Sequence, residues 1–247
     1  MKPFPSAVLI LGLLVAPPLN AQEQEPADSI PGNHLIENGV ERLTVIPGPE
    51  TFRDNFSGFY FPYTLTVTSV DGVRHPMRAT GSGGRKRLFI KIYAAAFYAE
   101  DSAYLGPDPR KGLLEQDVAR RIVFRFKRTA SEERLQEVFD DAIGKLWNGT
   151  PPADVVPEMN KFMSYFEGGI PKGQTLEFTY LPDKGLYTEV SGIAKPLISN
   201  PLIARRFWEL WLGDDQMSVS PSLTKNLVRF LVDDKPAIKV IDPDESR

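Results

Sequence analysis

The side chains available for chemistry in this sequence are mainly those of arginine, lysine, tyrosine, serine, threonine and the acids. The chain has no cysteine, which excludes thiol catalysis, disulfides and cysteine-ligated zinc. Its two histidines, His34 and His75, lie beside turn-forming residues and outside any recognisable catalytic or metal-binding motif. We therefore predict that both are loop residues, and we expect no metal and no cofactor.

One group of basic and phenolic side chains comprises Arg85, Lys86, Arg87, Lys91 and Tyr93. A guanidinium is a permanently charged fork that matches the two oxygens of a carboxylate. A tyrosine hydroxyl can donate one more hydrogen bond while its ring packs against apolar groups. These residue types could bind an organic acid, but a solvated basic turn followed by a core tyrosine would look the same. Residue types alone favour the turn.

A strand must position these groups. Residues 87–99 are apolar at both alternating sets of positions, which predicts a central strand covered on both faces. Alternation places five side chains on one face: Phe89, Lys91, Tyr93, Ala95 and Phe97. Small Ala95 leaves room for an acyl chain, and Lys91 either adds positive charge or faces solvent. Arg85 would lie about 26 Å from Tyr93 on a straight strand, so the two meet only if the glycine-rich residues 81–87 fold back over the sheet.

The remaining patterns run in the order strands, helices, a hairpin and helices. Strands are predicted over 63–68, 121–127, 175–181 and 186–191 from alternation and turn signals. Helices are predicted from a capping box at Thr129 and Glu132, from Thr150-Pro151, from Ser199 or Asn200, and from Ser220-Pro221. This order predicts an α+β fold with helices gathered on an antiparallel sheet.

The N-terminus has the pattern of an export signal. Lys2 precedes an apolar run from Ala7 to Val15, which is followed by Pro17-Pro18 and Ala21. The run is shorter than the roughly 20 apolar residues of a spanning helix, so we expect no integral membrane span in the mature chain. We predict a signal peptide over 1–21, a flexible linker or arm over 22–49, a folded domain over 50–232 and a C-terminal tail over 233–247. The net charge of −3 gives no reason to expect a nucleic-acid partner.

Two stretches resemble the signature of the chalcone isomerase superfamily, which is a glycine pair, an arginine and a strand ending in an aromatic-small-aromatic run. They are Gly81-Ser82-Gly83-Gly84-Arg85 and Ile92-Tyr93-Ala94-Ala95-Ala96-Phe97-Tyr98. Residues 128–133, 173–185, 207–213 and 220–223 resemble further landmarks, so the likeness covers roughly 60–232. It implies a chalcone-isomerase-type open-faced β-sandwich, an antiparallel sheet with helices packed on one face and a ligand cleft between them. The signal peptide and the short spacing from Arg85 to Tyr93 look most like exported bacterial members, which implies a periplasmic location.

The resemblance also implies roles for single residues. Arg85 falls on the cleft arginine of the superfamily. Tyr93 falls where fatty-acid-binding members have a carboxylate-contacting tyrosine and plant isomerases have a catalytic threonine. The tyrosine, lysine and asparagine of the plant isomerases correspond approximately to Ser131, Arg134 and Val138 here. These departures remove the phenol and the amide that the isomerase reaction uses.

We therefore expect non-catalytic binding of a fatty-acid-like or other amphipathic carboxylate. The expected ligand-binding residues are Arg85, Tyr93, Ala95, Phe97 and Lys91. Two alternatives stay open: an isomerase of chalcone-type substrates, and an exported structural or envelope-interaction protein with a vestigial cleft.

Overall fold

The computed structural model of the chain describes residues 36–37, 39–103, 105–214, 220–232 and 236–240. All of these residues belong to one unit that spans residues 32–247. The predicted signal peptide, residues 1–21, and His34 lie outside the described residues.

The strands pair antiparallel throughout and are numbered in chain order. They are β1 (Ile36–Glu37), β2 (Val40–Glu41), β3 (Thr44–Pro47), β4 (Glu50–Arg53), β5 (Tyr60–Pro62), β6 (Thr64–Thr68), β7 (Arg74–Arg87), β8 (Ile90–Glu100), β9 (Arg120–Phe126), β10 (Thr175–Leu181), β11 (Gly185–Val190), β12 (Ile193–Ala194) and β13 (Ile238–Val240). Eight of them form the main sheet in the order β12-β11-β10-β9-β8-β7-β6-β3. The strands β13, β4 and β5 form a smaller sheet, and β1 pairs with β2.

The helices are α1 (Pro109–Glu115), α2 (Glu132–Leu146), α3 (Val156–Ser164), α4 (Pro201–Arg206), α5 (Glu209–Leu212), α6 (Pro221–Leu227) and α7 (Arg229–Val232). The predicted cap of α4 is confirmed, because the Asn200 side chain accepts hydrogen bonds from two backbone N–H groups of its first turn. Helix α2 is capped by Ser131, whereas the predicted cap Thr129 accepts from the Lys172 N–H instead. Helix α3 begins several residues after Thr150-Pro151, and α1 was not predicted.

The helices pack on one face of the main sheet, which confirms the predicted α+β class. The alternation of β9 is confirmed as well, since Ile122, Phe124 and Phe126 all lie in the core between sheet and helices. On β8, Tyr93 belongs to that core while Ala94 belongs to a second core on the other face, where the small sheet packs. Strand β8 is thus covered on both faces, as its apolar sequence predicted.

Residues 74–100 form a long β-hairpin, which corrects the single strand predicted from residue 87. Strand β7 runs to Arg87, a two-residue turn follows at Leu88 and Phe89, and β8 returns from Ile90. His75 lies in β7 and is therefore not the loop residue that the sequence predicted.

The glycines of β7 allow close packing; they do not fold the chain back over the sheet. A Cβ at Gly81 would lie 2.1 Å from the Asn226 carbonyl oxygen and 2.5 Å from the Leu227 carbonyl carbon, both in α6. At Gly83 a Cβ would lie 2.8 Å from the Asn226 side chain. The missing side chains therefore let α6 rest on the strand backbone.

Paired strands occur on both sides of the predicted limits of the domain, in the main sheet and in the smaller one. Strand β3, within the segment predicted as a linker, pairs with β6 in the main sheet. Strand β13, within the predicted tail, pairs with β4. The paired body therefore begins before residue 50 and continues after residue 232.

Candidate functional site

The β7–β8 hairpin places Arg85 opposite Tyr93. The two residues are register partners in the antiparallel pair, so they face each other at the short range of cross-strand neighbours, about 5 Å between Cβ atoms. The Arg85 guanidinium lies close enough to the Tyr93 phenol for its positive charge to act on that group. Tyr93 is buried and Arg85 is half-buried. The two side chains thus meet across the neighbouring strands β7 and β8, and not through a loop folded back over the sheet.

Burial sets the protonation state of Tyr93. It raises the pKa of the phenol to about 12, and the nearby positive charge of Arg85 acts in the opposite direction with smaller effect. The phenol is therefore protonated at neutral pH. Because a guanidinium has no acceptor, the hydroxyl hydrogen of Tyr93 is not directed at Arg85 and remains to be donated to a ligand.

Arg85 and Tyr93 lie on the wall of a cleft of about 550 Å³ between the sheet and α2. This volume is within the range of small-molecule sites, about 300–1,000 Å³. The apolar lining residues are Ile92, Phe124, Phe126, Ala130, Leu135, Val138, Phe139, Leu176 and Trp211. The polar and charged ones are Arg85, Lys86, Arg87, Tyr93, Thr129, Ser131 and Arg134. An apolar floor combined with arginine and lysine side chains suits an amphipathic anion.

The start of α2 carries the three residues that the resemblance aligns with functional side chains of plant isomerases. Ser131, Arg134 and Val138 all line the cleft. The Ser131 hydroxyl accepts a hydrogen bond from the Arg134 N–H as the cap of α2, and the Arg134 guanidinium pairs with Glu137. At these three positions the cleft wall carries neither a phenol nor a side-chain amide.

Lys91 lies on the other face of the sheet from Tyr93, which corrects the predicted alternation. Register shifts between the pairs Arg85–Tyr93 and Lys86–Lys91, so that Ile92 is an extra, bulged residue. A bulge lets two consecutive side chains point the same way, and both Ile92 and Tyr93 line the cleft. The Lys91 ammonium instead donates to the Phe56 carbonyl and lies 5.2 Å from the centre of its ring.

Ala95 and Phe97 share the helix-facing side with Tyr93 but do not line the cleft. Both are fully buried in the core between sheet and helices. The Phe97 ring packs edge-on against Trp208 at 5.5 Å between centroids. Phe89, predicted on the same face, is in the exposed turn.

The aromatic floor of the cleft includes Phe124, Phe126 and Trp211. The Tyr93 ring packs against Phe124 at 5.2 Å and against Phe126 at 5.6 Å between centroids. Trp211 of α5 packs on Phe124 at 4.9 Å. The pairing of β8 with β9 brings these phenylalanines beside Tyr93. Their place in the cleft could be predicted only with knowledge of the strand order.

Within the described part of the chain, no cluster of three or more histidine, cysteine or acidic side chains has the arrangement of a metal site. Across the same residues, no helix combines the length and the apolar character needed to cross a bilayer.

Comparisons with known proteins agree with this architecture. A family model described as chalcone isomerase-like matches residues 54–227. Among solved structures, the chain is similar to the Arabidopsis thaliana fatty-acid binding protein AtFAP1, with a TM-score of 0.56 and 19% identity over 72% of this chain and 95% of that one. At this identity the similarity concerns the fold. No protein with a curated description matches the sequence.

Proposed function

Because the chain belongs to the chalcone isomerase-like family, we propose that its cleft binds an amphipathic carboxylate, such as a fatty acid, without converting it. The observation that carries the proposal is the cross-strand pair of Arg85 and Tyr93 on the wall of a largely apolar cleft.

The pair suits a carboxylate head group. The guanidinium supplies a permanent charge and several donors, and the protonated phenol supplies one more donor. Half-burial of Arg85 strengthens its attraction to an anion, because water screens the charge less than on an open surface. The preformed contact between the two residues also lowers the entropy that binding must overcome.

The floor of the cleft suits an acyl chain. Phe124, Phe126, Leu176 and Trp211 offer apolar surface beyond the head-group pair. Burial of a hydrocarbon chain contributes about 0.8 kcal/mol for each methylene removed from water. The solved relative AtFAP1, whose name describes fatty-acid binding, has the same fold and supports this choice of ligand class.

The isomerase alternative has weaker support. The raised pKa of Tyr93 makes the phenol a poor base at neutral pH. Ser131 offers a hydroxyl already engaged as a helix cap, and Val138 offers no polar group.

The export signal predicted for residues 1–21 would place the binding protein outside the cytoplasm, in the periplasm of a bacterial cell.

The proposal is tested by titrating delipidated protein with palmitate and with its methyl ester in a calorimeter. Palmitate binds and the ester binds more weakly, because the ester has no charge for Arg85. The variant Arg85→Gln loses the preference for the acid, whereas Arg78→Gln keeps it. Arg78 is the matched control because it lies on the same strand and pairs with Asp101 outside the cleft.

Two results would refute the proposal. Equal affinity of wild type and Arg85→Gln for palmitate would mean that the head group lies elsewhere. Conversion of a chalcone into a flavanone of one handedness would instead establish the isomerase. A protein that binds no acid and converts no chalcone would have a vestigial cleft.

A further inference from the structure

The turn of the β7–β8 hairpin exposes three large apolar side chains in succession. Leu88 is 83% exposed, Phe89 97% and Ile90 51%. Single exposed apolar residues are ordinary, but three adjacent ones at the end of a projecting hairpin form a contiguous apolar surface. Residues 85–91 are called the hairpin tip below.

The residue types of the hairpin tip are not those that a short turn prefers. Leu88 has a φ of 54°, in the left-handed region that glycine and asparagine adopt readily and leucine does not. The chain therefore holds a bulky apolar residue in a strained conformation with its side chain in water. Strain of this kind on an exposed apolar group indicates a role for that group.

Cations surround the apolar residues. Arg85, Lys86 and Arg87 precede them and Lys91 follows, and no acidic residue occurs between Asp71 and Glu100. Lys86, Arg87 and Lys91 are exposed. The hairpin tip thus combines a projecting apolar end with a collar of positive charge.

We propose that the hairpin tip docks on the surface of an anionic phospholipid bilayer. Leu88 and Phe89 enter the boundary between head groups and acyl chains, and the basic collar contacts the lipid phosphates. A second copy of the chain is a poorer partner, because pairing two such tips would bring like charges together. The charge complementarity selects the anionic bilayer.

The hairpin tip also forms part of the cleft. Three residues of the hairpin tip also line the cleft, namely Arg85, Lys86 and Arg87. Docking therefore brings the charged side of the cleft to the membrane surface, where an acyl carboxylate can pass between bilayer and protein. This consequence rests on the proposed function, whereas docking itself does not depend on any ligand in the cleft.

The test is sedimentation of the protein with vesicles of phosphatidylcholine alone and of phosphatidylcholine mixed with phosphatidylglycerol. Wild type sediments with the mixed vesicles, and added salt weakens the binding. The double variant Leu88→Asn/Phe89→Ser lowers the partition coefficient by about tenfold or more, because it removes two apolar side chains from the interface. Asparagine tolerates the left-handed conformation, so this variant keeps or gains thermal stability and its loss of binding does not reflect unfolding.

Matched controls separate docking from general surface effects and from ligand binding. Ile193→Ser removes another exposed apolar side chain, 63% exposed, and leaves sedimentation unchanged. Lys86→Gln/Arg87→Gln weakens binding to mixed vesicles, whereas Lys172→Gln, at an exposed site that belongs neither to the cleft lining nor to the hairpin tip, does not. Tyr93→Phe weakens palmitate binding but leaves sedimentation intact, so failure of the docking proposal is distinguishable from failure of the proposed function.

Insertion is read directly with Phe89→Trp and brominated phosphatidylglycerol, which quenches the new tryptophan beyond the wild-type signal. Equal sedimentation of wild type and the Leu88→Asn/Phe89→Ser variant, or sedimentation with neither vesicle, overturns the proposal. So does a concentration-dependent dimer that the same variant disperses in the absence of vesicle binding.

Discussion

Arg85 and Tyr93 are cross-strand partners on β7 and β8, and the positive charge of the Arg85 guanidinium acts on the Tyr93 phenol. The pair therefore exists before any ligand enters the cleft. A carboxylate that binds there meets two donors already held together, which lowers the ordering cost of binding.

Replacement of each partner weakens palmitate binding by a different amount. Arg85→Gln removes a charged donor and is expected to cost about 2 kcal/mol, or roughly thirtyfold in affinity. Tyr93→Phe removes a neutral donor and is expected to cost about 1 kcal/mol, or roughly fivefold. The double variant loses less than the sum, because the two side chains support each other. Calorimetry of the four proteins measures this; strictly additive losses would mean that the pair does not act together.

Tyr93 makes stability depend on alkaline pH. Its folded-state pKa of about 12 lies above the ordinary value of 10. The folded state therefore binds more protons than the unfolded state between these values. The contribution is fully present below pH 10 and is lost as the pH rises towards 12; two pKa units correspond to about 3 kcal/mol. Tyr93→Phe is expected to flatten the fall in the free energy of unfolding across this window, and the other titrating groups cancel in the difference.

A larger side chain on the cleft side of α2 is expected to block ligand binding. Val138 lines the cleft and is half-buried, so Val138→Trp fills space that an acyl chain would occupy. We expect loss of palmitate binding with little change in melting temperature. Asp140→Trp places the same side chain at an exposed position of the same helix outside the cleft and keeps full binding. Unchanged affinity in Val138→Trp would place the acyl chain elsewhere.

The close contact of β7 with α6 predicts an unequal pair of glycine replacements. Gly81→Ala forces a Cβ into the backbone of Asn226 and Leu227 and is expected to destabilise the fold by about 3 kcal/mol. Gly144→Ala in α2 meets no atom within 4 Å and is expected to stabilise by about 1 kcal/mol, because alanine is the better helix former. Urea unfolding measures both; similar effects of the two changes would disprove the packing role of Gly81.

Local sequence signals were sufficient for several elements. The alternation of β9, the asparagine cap of α4 and the apolar character of β8 each depend on neighbouring residues, and each was correctly predicted. The β7–β8 turn was not, because Leu88 and Phe89 are not turn-forming residues. Pairing along the whole length of β7 and β8 holds this turn in place. The identities of the two turn residues carry no information about that pairing.

The sequence by itself determined the α+β class and the residue types of the Arg85–Tyr93 pair, since both follow from local periodicity and from identity at single positions. Only the tertiary structure decided that Arg85 faces Tyr93, that a bulge at Ile92 turns Lys91 to the other face, and that Phe124 and Phe126 line a cleft while Ala95 and Phe97 lie in solid core. The reason is physical. A side chain in the core and one that lines the cleft are equally apolar. Whether a given side chain does one or the other depends on the local distance between sheet and helix, and the packing of the whole domain sets that distance.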